Sequence, residues 1–205
     1  MAIIKSGASS DQLTIGATSK AARVTLYDDL GNTMGAKRTY RASTIVPLVT
    51  AVTANRTIWN IIGSATTTVT VKKITISGVS IATAVNYLPF NLVKYSTATT
   101  GGTSTTLVAV PIDSGSAAAT AVVKAYTAVA TDGALIGTLA SAKVFCPITA
   151  TAGALHFAVP IVFDFTNNGQ NGIVLRGVAQ ELALLYPVVA ATIPTQAIDV
   201  EWTEE

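Results

Sequence analysis

Ile58–Gly78, IWNIIGSATTTVTVKKITISG, is the stretch whose reading decides the fold. It is dense in Val, Ile and Thr, whose branched side chains suit a pleated, half-buried surface, and it holds Trp59, one of two tryptophans. Gly63-Ser64 is turn chemistry, so the stretch reads as two strands of a hairpin. The second strand slips in phase. Val69 and Val71 are apolar on odd numbers, Ile74 and Ile76 on even numbers. Strand side chains alternate faces, so an uncorrected slip would turn half the core face outward. A bulge at Lys72-Lys73 restores the face and leaves two ammonium groups outside. The expectation is the central hairpin of a β-sandwich.

Alternation between turn signals continues downstream, with no helical stripe. Val85–Tyr95 reads as a strand that Pro89 pushes to an edge or bend. Asp113-Ser-Gly-Ser is a turn, Ala119–Val129 has the alanines of a helix but favours a strand through Val122, Val123, Tyr126, Thr127 and Val129, and Thr131-Asp-Gly is a turn before Ala134–Leu139. Phe157, Val159, Ile161, Phe163 and Phe165 alternate and read as a main wall of the core. Leu182, Leu184 and Tyr186 share one face, as do Ile198, Val200 and Trp202. The count is about eight strands after residue 55, the number of a jelly roll.

Residues 1–20 read as an extended arm with a short strand near Gln12–Ile15. Arg23–Tyr27, the turn Asp28–Asn32 and Thr33–Tyr40 read as a hairpin. The expected organisation is therefore all-β: an N-terminal arm and β-hairpin attachment segment over 1–55, then a β-sandwich of jelly-roll type over 56–205.

The totals bound the function. Of 205 residues 12% are charged, about half the usual share, and mean hydropathy is +0.51. A surface poor in charge suits a protein that buries much of itself against partners. No apolar run approaches the roughly 20 residues of a membrane helix. No signal-peptide core is visible, and a single cysteine forms no intrachain disulfide. A net charge of +2 is too small to argue nucleic-acid binding. Seven bases (Lys5, Lys20, Arg23, Lys37, Arg38, Arg41, Arg56) lie in residues 1–56, and Glu201, Glu204 and Glu205 close the chain. A basic front and acidic tail suit docking on an acidic surface or pairing between copies, and equally plain solvated charge. Tyr27 and Tyr40 flank the expected hairpin, so Arg23, Tyr27, Lys37, Arg38, Tyr40 and Arg41 are the candidate partner interface.

Catalytic patterns are sparse. His156 and Cys146 are single, too few for a zinc site. Cys146, in Val-Phe-Cys-Pro-Ile, reads as a structural thiol. Asp164 and Glu181 each stand opposite an apolar face and read as outward. The loop Asp164–Gly172 offers a calcium ion one carboxylate and several amides, too little charge for tight binding. Trp59 and Trp202 could stack a sugar, but their apolar strand faces favour core packing. Neither catalytic residues nor cofactors are assigned.

SKAARVTLYDDLGN (19–32), VPIDSGSAAATAVVKAYTA (110–128), VLRGVAQELAL (174–184) and IDVEWTEE (198–205) resemble small virion structural proteins of tailed bacteriophages. The resemblance implies a non-enzymatic capsid decoration (cement) or head-fibre protein, displayed in many copies as a homo-oligomer, often a trimer. It implies attachment to the major capsid protein or another virion protein, assembly in the bacterial host cytoplasm, and neither nucleic-acid nor membrane partners. A tail or baseplate component, or a carbohydrate-binding sandwich for host attachment, are the alternatives.

Overall fold

The computed structural model describes residues 14–15, 22–23, 37–46, 49–52, 56–78, 86–146, 159–167, 171–187, 190–193 and 195–205. The chain divides into two units, Met1–Lys37 and Arg38–Glu205. In the first, β1 (Thr14–Ile15) pairs antiparallel with β2 (Ala22–Arg23). The rest of the expected hairpin lies outside the described residues as far as Ala36.

The second unit runs through β3 (Arg38–Val46), β4 (Val49–Val52), β5 (Arg56–Ile62), β6 (Thr68–Gly78), β7 (Asn86–Tyr95), β8 (Ser104–Thr106), β9 (Val110–Pro111) and β10 (Val122–Tyr126). It continues through β11 (Leu135–Cys146), β12 (Ile161–Asp164), β13 (Ile173–Arg176), β14 (Glu181–Tyr186), β15 (Ala190–Ile193) and β16 (Gln196–Glu204). The first sheet has the order β11-β7-β14-β5-β10-β8. The second has the order β12-β6-β16-β3-β9, with β13 continuing beside β6. All pairings are antiparallel, and β4 and β15 form a separate ribbon. The fold is an all-β sandwich. Two sheets of six strands are not the eight-strand count behind the jelly-roll expectation.

One apolar core fills the space between the sheets. The first contributes Trp59, Ile61, Phe90, Leu92, Leu182, Leu184 and Tyr186; the second contributes Tyr40, Val69, Val71, Ile74, Ile76, Ile198, Val200 and Trp202. Tyr40 stacks on Trp202 with ring centroids 5.7 Å apart, and Phe90 meets Tyr186 edge-on at 5.8 Å.

Ile58–Gly78 is not a hairpin. β5 belongs to the first sheet and β6 to the second, so Gly63–Thr67 carries the chain from one layer to the other. Gly63 N–H donates to the Gln180 carbonyl at 2.9 Å. A Cβ at Gly63 would stand 2.5 Å from the Gly177 carbonyl, so only glycine fits there. Ser64 Oγ then accepts the Thr66 and Thr67 amides at 3.1 and 3.2 Å. The bulge, in contrast, is where the phase slip puts it. Glu201 of β16 pairs with Lys73, Trp202 pairs with Val71, and Lys72 is skipped. Val69, Val71, Ile74 and Ile76 all reach the core.

Two further expectations change. The expected boundary at 55/56 falls at 37/38, because β3 pairs with β16 along its whole length. The Phe stripe does not form a main wall. β12 is a four-residue edge strand, Val159 is exposed, Ile161, Phe163 and Phe165 are only half-buried, and Phe157 lies outside the described residues. Pro89 sits in β7, an interior strand. It pairs with Lys143 of β11, while β14 pairs with β7 only over Asn91–Tyr95, so no β14 partner faces the ring.

Candidate functional site

Of the interface candidates on the second unit, Tyr40 and Arg41 lie on opposite faces of β3. Arg23 lies in β2 opposite Thr14, and Tyr27 lies outside the described residues. Lys37 and Arg38 are exposed at the start of β3. Tyr40 is fully buried, and its hydroxyl donates to the Ala117 carbonyl at 2.8 Å. It is core rather than interface because strand parity turns residues 40, 42 and 46 inward. Arg41 faces outward and pairs with Glu201, Nε to Oε2 at 2.9 Å.

Arg41 belongs to a ladder of alternating charge across the outer face of the second sheet. The register sets Arg41 beside Glu201, Glu201 beside Lys73, and Lys73 beside Asp164. Arg41, Lys73, Thr75, Asp199 and Glu201 line a shallow open depression. Exposed pairs of this kind contribute about 0–1 kcal/mol each. They set the charge pattern of that outer face more than they stabilise the fold. At the ladder's end the Thr166 hydroxyl and amide both donate to Asp164 Oδ1, at 2.6 and 2.9 Å, and hold that carboxyl below its ordinary range. The acidic tail is likewise absorbed into structure. Glu201 pairs with Arg41, Glu204 is buried, and Glu205 exchanges backbone hydrogen bonds with Thr68.

A second polar cluster is buried on the outer face of the first sheet. Glu181 does stand opposite Leu182 and Leu184, yet it is completely covered, against the outward placement expected of it. Its Oε2 accepts Asn60 Nδ2 at 2.8 Å and the Thr99 amide at 3.0 Å, and its Oε1 meets the Thr99 hydroxyl. Asn60 Nδ2 also donates to the Tyr126 hydroxyl at 3.2 Å. The Tyr95 hydroxyl faces Thr57, at 3.5 Å, and Asp132. Burial raises the Glu181 carboxyl and the Tyr126 phenol above their ordinary ranges and pushes Tyr95 up to about 12. Asn60 Oδ1 and Asp132 Oδ1 are buried acceptors with no partner. Nearby Arg56 is buried too; its Nη2 donates to the Tyr126 carbonyl at 3.5 Å, and burial lowers its pKa. The sequence signal for this cluster is a lone polar residue inside an otherwise apolar strand, twice over: Asn60 in Ile58–Ile62 and Glu181 before Leu182–Tyr186. Buried polar groups must pair, so each implies the other.

The remaining candidates resolve differently. Trp59, Trp202, Tyr40, Tyr95, Tyr126 and Tyr186 are all buried, so the two tryptophans offer no platform for a sugar ring. Cys146 ends β11 opposite Asn86, and His156 lies outside the described residues. Among the described residues no three His, Cys, Asp or Glu side chains group closely enough to hold a metal ion. Comparison with protein-family models, with curated proteins and with solved structures finds no match for this chain.

Proposed function

We propose that this chain is a structural protein of a tailed-phage particle, a capsid decoration or head-fibre protein that works in many copies. The observation that carries the reading is the division at Lys37/Arg38. A sandwich whose first and last strands pair over nine residues can be displayed as one rigid body. The separate Met1–Lys37 unit is then the segment that attaches it to the major capsid protein or another virion protein. Its charge is nearly balanced: Lys5, Lys20, Arg23 and Lys37 against Asp11, Asp28 and Asp29. Attachment therefore rests on shape and apolar contact more than on a basic patch, since Arg38, Arg41 and Arg56 sit in the sandwich.

The test compares the full chain with a chain beginning at Arg38, on particles of the encoding phage stripped of this protein. A cut at residue 45 would be uninformative, because it removes most of β3 from between β16 and β9. The truncated chain is expected to melt cooperatively with a β-type circular dichroism spectrum, while only the full chain sediments with particles. Equal sedimentation of both would overturn the attachment role. Absence of the chain from native particles by mass spectrometry would overturn the whole reading.

A further inference from the structure

Two loops, 96–103 and 127–134, zip together into a strap beside the Glu181 cluster. Ser96 N–H donates to the Ala134 carbonyl at 2.8 Å, and Thr127 N–H to the Thr103 carbonyl at 2.8 Å. Thr100 and Thr131 exchange both backbone bonds, at 2.9 and 2.8 Å. The fit is tight: a Cβ on Gly133 would stand 1.8 Å from the Thr97 carbonyl oxygen. From this strap Thr99 reaches the sheet, and its amide and hydroxyl both end on Glu181.

We propose that Glu181 and Thr99 form a proton-linked clasp, which holds the strap shut on the first sheet in acid and releases it as the pH rises. Three donors meet the carboxyl, Asn60 Nδ2 and the Thr99 amide at Oε2 and the Thr99 hydroxyl at Oε1. Ionised, the group carries its charge in a fully covered site. The titratable and charged groups facing it are Tyr95 on β7, Tyr126 and Lys124 on β10, and Asp132 on the strap. β5 contributes neutral Asn60 and Thr57 to that face, and the Arg56 guanidinium at its start reaches the Tyr126 carbonyl. No ion pair joins Lys124 to Glu181 among the described residues. Lifting the strap returns the carboxylate to water.

The sign follows from linkage. Burial, partly offset by the hydrogen bonds from Thr99 and Asn60, raises the closed-state pKa above the open-state value. The closed state therefore keeps its proton to higher pH. Its advantage is complete below the open-state pKa and is lost as the pH rises through the closed-state value. Between the two, the opening constant grows by up to about tenfold per pH unit, one proton's worth.

Amide hydrogen exchange on the full chain, from about pH 5 to pH 8, tests this through protection factors, which remove the intrinsic base catalysis of exchange. Protection of the Thr99, Thr100 and Thr131 amides is expected to fall with rising pH while the β6 amides hold theirs. Glu181→Gln, which keeps the shape and cannot ionise, should flatten the slope. Asp132→Asn should keep it. Gly133→Ala, which wedges the two loops apart, should lower strap protection at every pH. A flat wild-type profile overturns the clasp without any variant. A slope that survives Glu181→Gln, or one abolished by Asp132→Asn, assigns the proton elsewhere and also overturns it.

Discussion

Glu204→Ala is expected to cost about 3–5 kcal/mol of stability, read as a lower urea midpoint with an unchanged slope. Glu204 lies near the end of β16 in the second sheet and is buried. Its Oε1 accepts the Ala121 amide at 2.9 Å and Trp202 Nε1 at 3.0 Å. Its Oε2 accepts the Thr120 amide at 2.9 Å and the Thr120 hydroxyl at 2.7 Å. Thr120 and Ala121 lead into β10 of the first sheet, so one carboxylate joins the two layers at this end. Alanine would leave several covered donors with no acceptor, at about 1–3 kcal/mol each, less whatever water recovers. The total stability of a domain is only about 5–15 kcal/mol. Burial pushes the Glu204 carboxyl up, but the bonds from Trp202, Ala121 and Thr120 outweigh it, so the folded pKa lies below the ordinary value of 4.5. Its stabilisation is therefore present above that value and lost as the pH falls through the folded pKa. Glu204→Gln should blunt the acid limb of the stability curve, the opposite of the Glu181 effect. A loss under about 1 kcal/mol for Glu204→Ala would show that the latch is dispensable.

The two glutamates show where a sequence stops being readable. Strand parity correctly sets Glu181 opposite Leu182. Parity names a face, however, and says nothing of what covers it; here Thr99, 82 residues earlier in the chain, reaches onto it. The same limit governs β5 and β6. Both strands are legible from their β-branched residues, and Gly63-Ser64 is legible as a change of direction. Whether the chain turns back beside itself or crosses to the other layer depends on partners distant in sequence, β14 and β16. Tyr40 departs from its expected place for a related reason. It stacks on Trp202, and nothing local announces a pairing between the two ends of the sandwich. What local sequence does fix is phase, because the two-residue period admits no compromise.

Phase also makes the bulge testable by a change of length. Deleting Lys72 is expected to leave a cooperatively folded sandwich with a straightened β6 and a lower urea midpoint. With Lys72 present, Val71 pairs with Trp202 and Lys73 with Glu201, so the odd-numbered valines and even-numbered isoleucines both face the core. Without it, Lys73 follows Val71 directly, so Val69, Val71, Ile74 and Ile76 alternate on one face with no bulge, and Trp202 and Glu201 keep their partners Val71 and Lys73. The cost falls on the edge strands. β12 pairs with β6 from Ile76 to Lys73, β13 pairs from Val71 to Thr68, and the Lys72 carbonyl accepts the Phe165 amide at 2.9 Å between them. Deletion keeps both registers but removes that acceptor and draws the two edge strands together by one residue, a cost of about 1–3 kcal/mol. Lys72→Thr is the control. It keeps the extra residue and forfeits the exposed bond from Nζ to the Asn171 carbonyl, so its cost should stay below about 1 kcal/mol. Chemical denaturation followed by tryptophan fluorescence reads both, since Trp59 and Trp202 are each fully buried. Loss of cooperative unfolding in the deletion variant would mean that the bulge does more than restore the phase of β6.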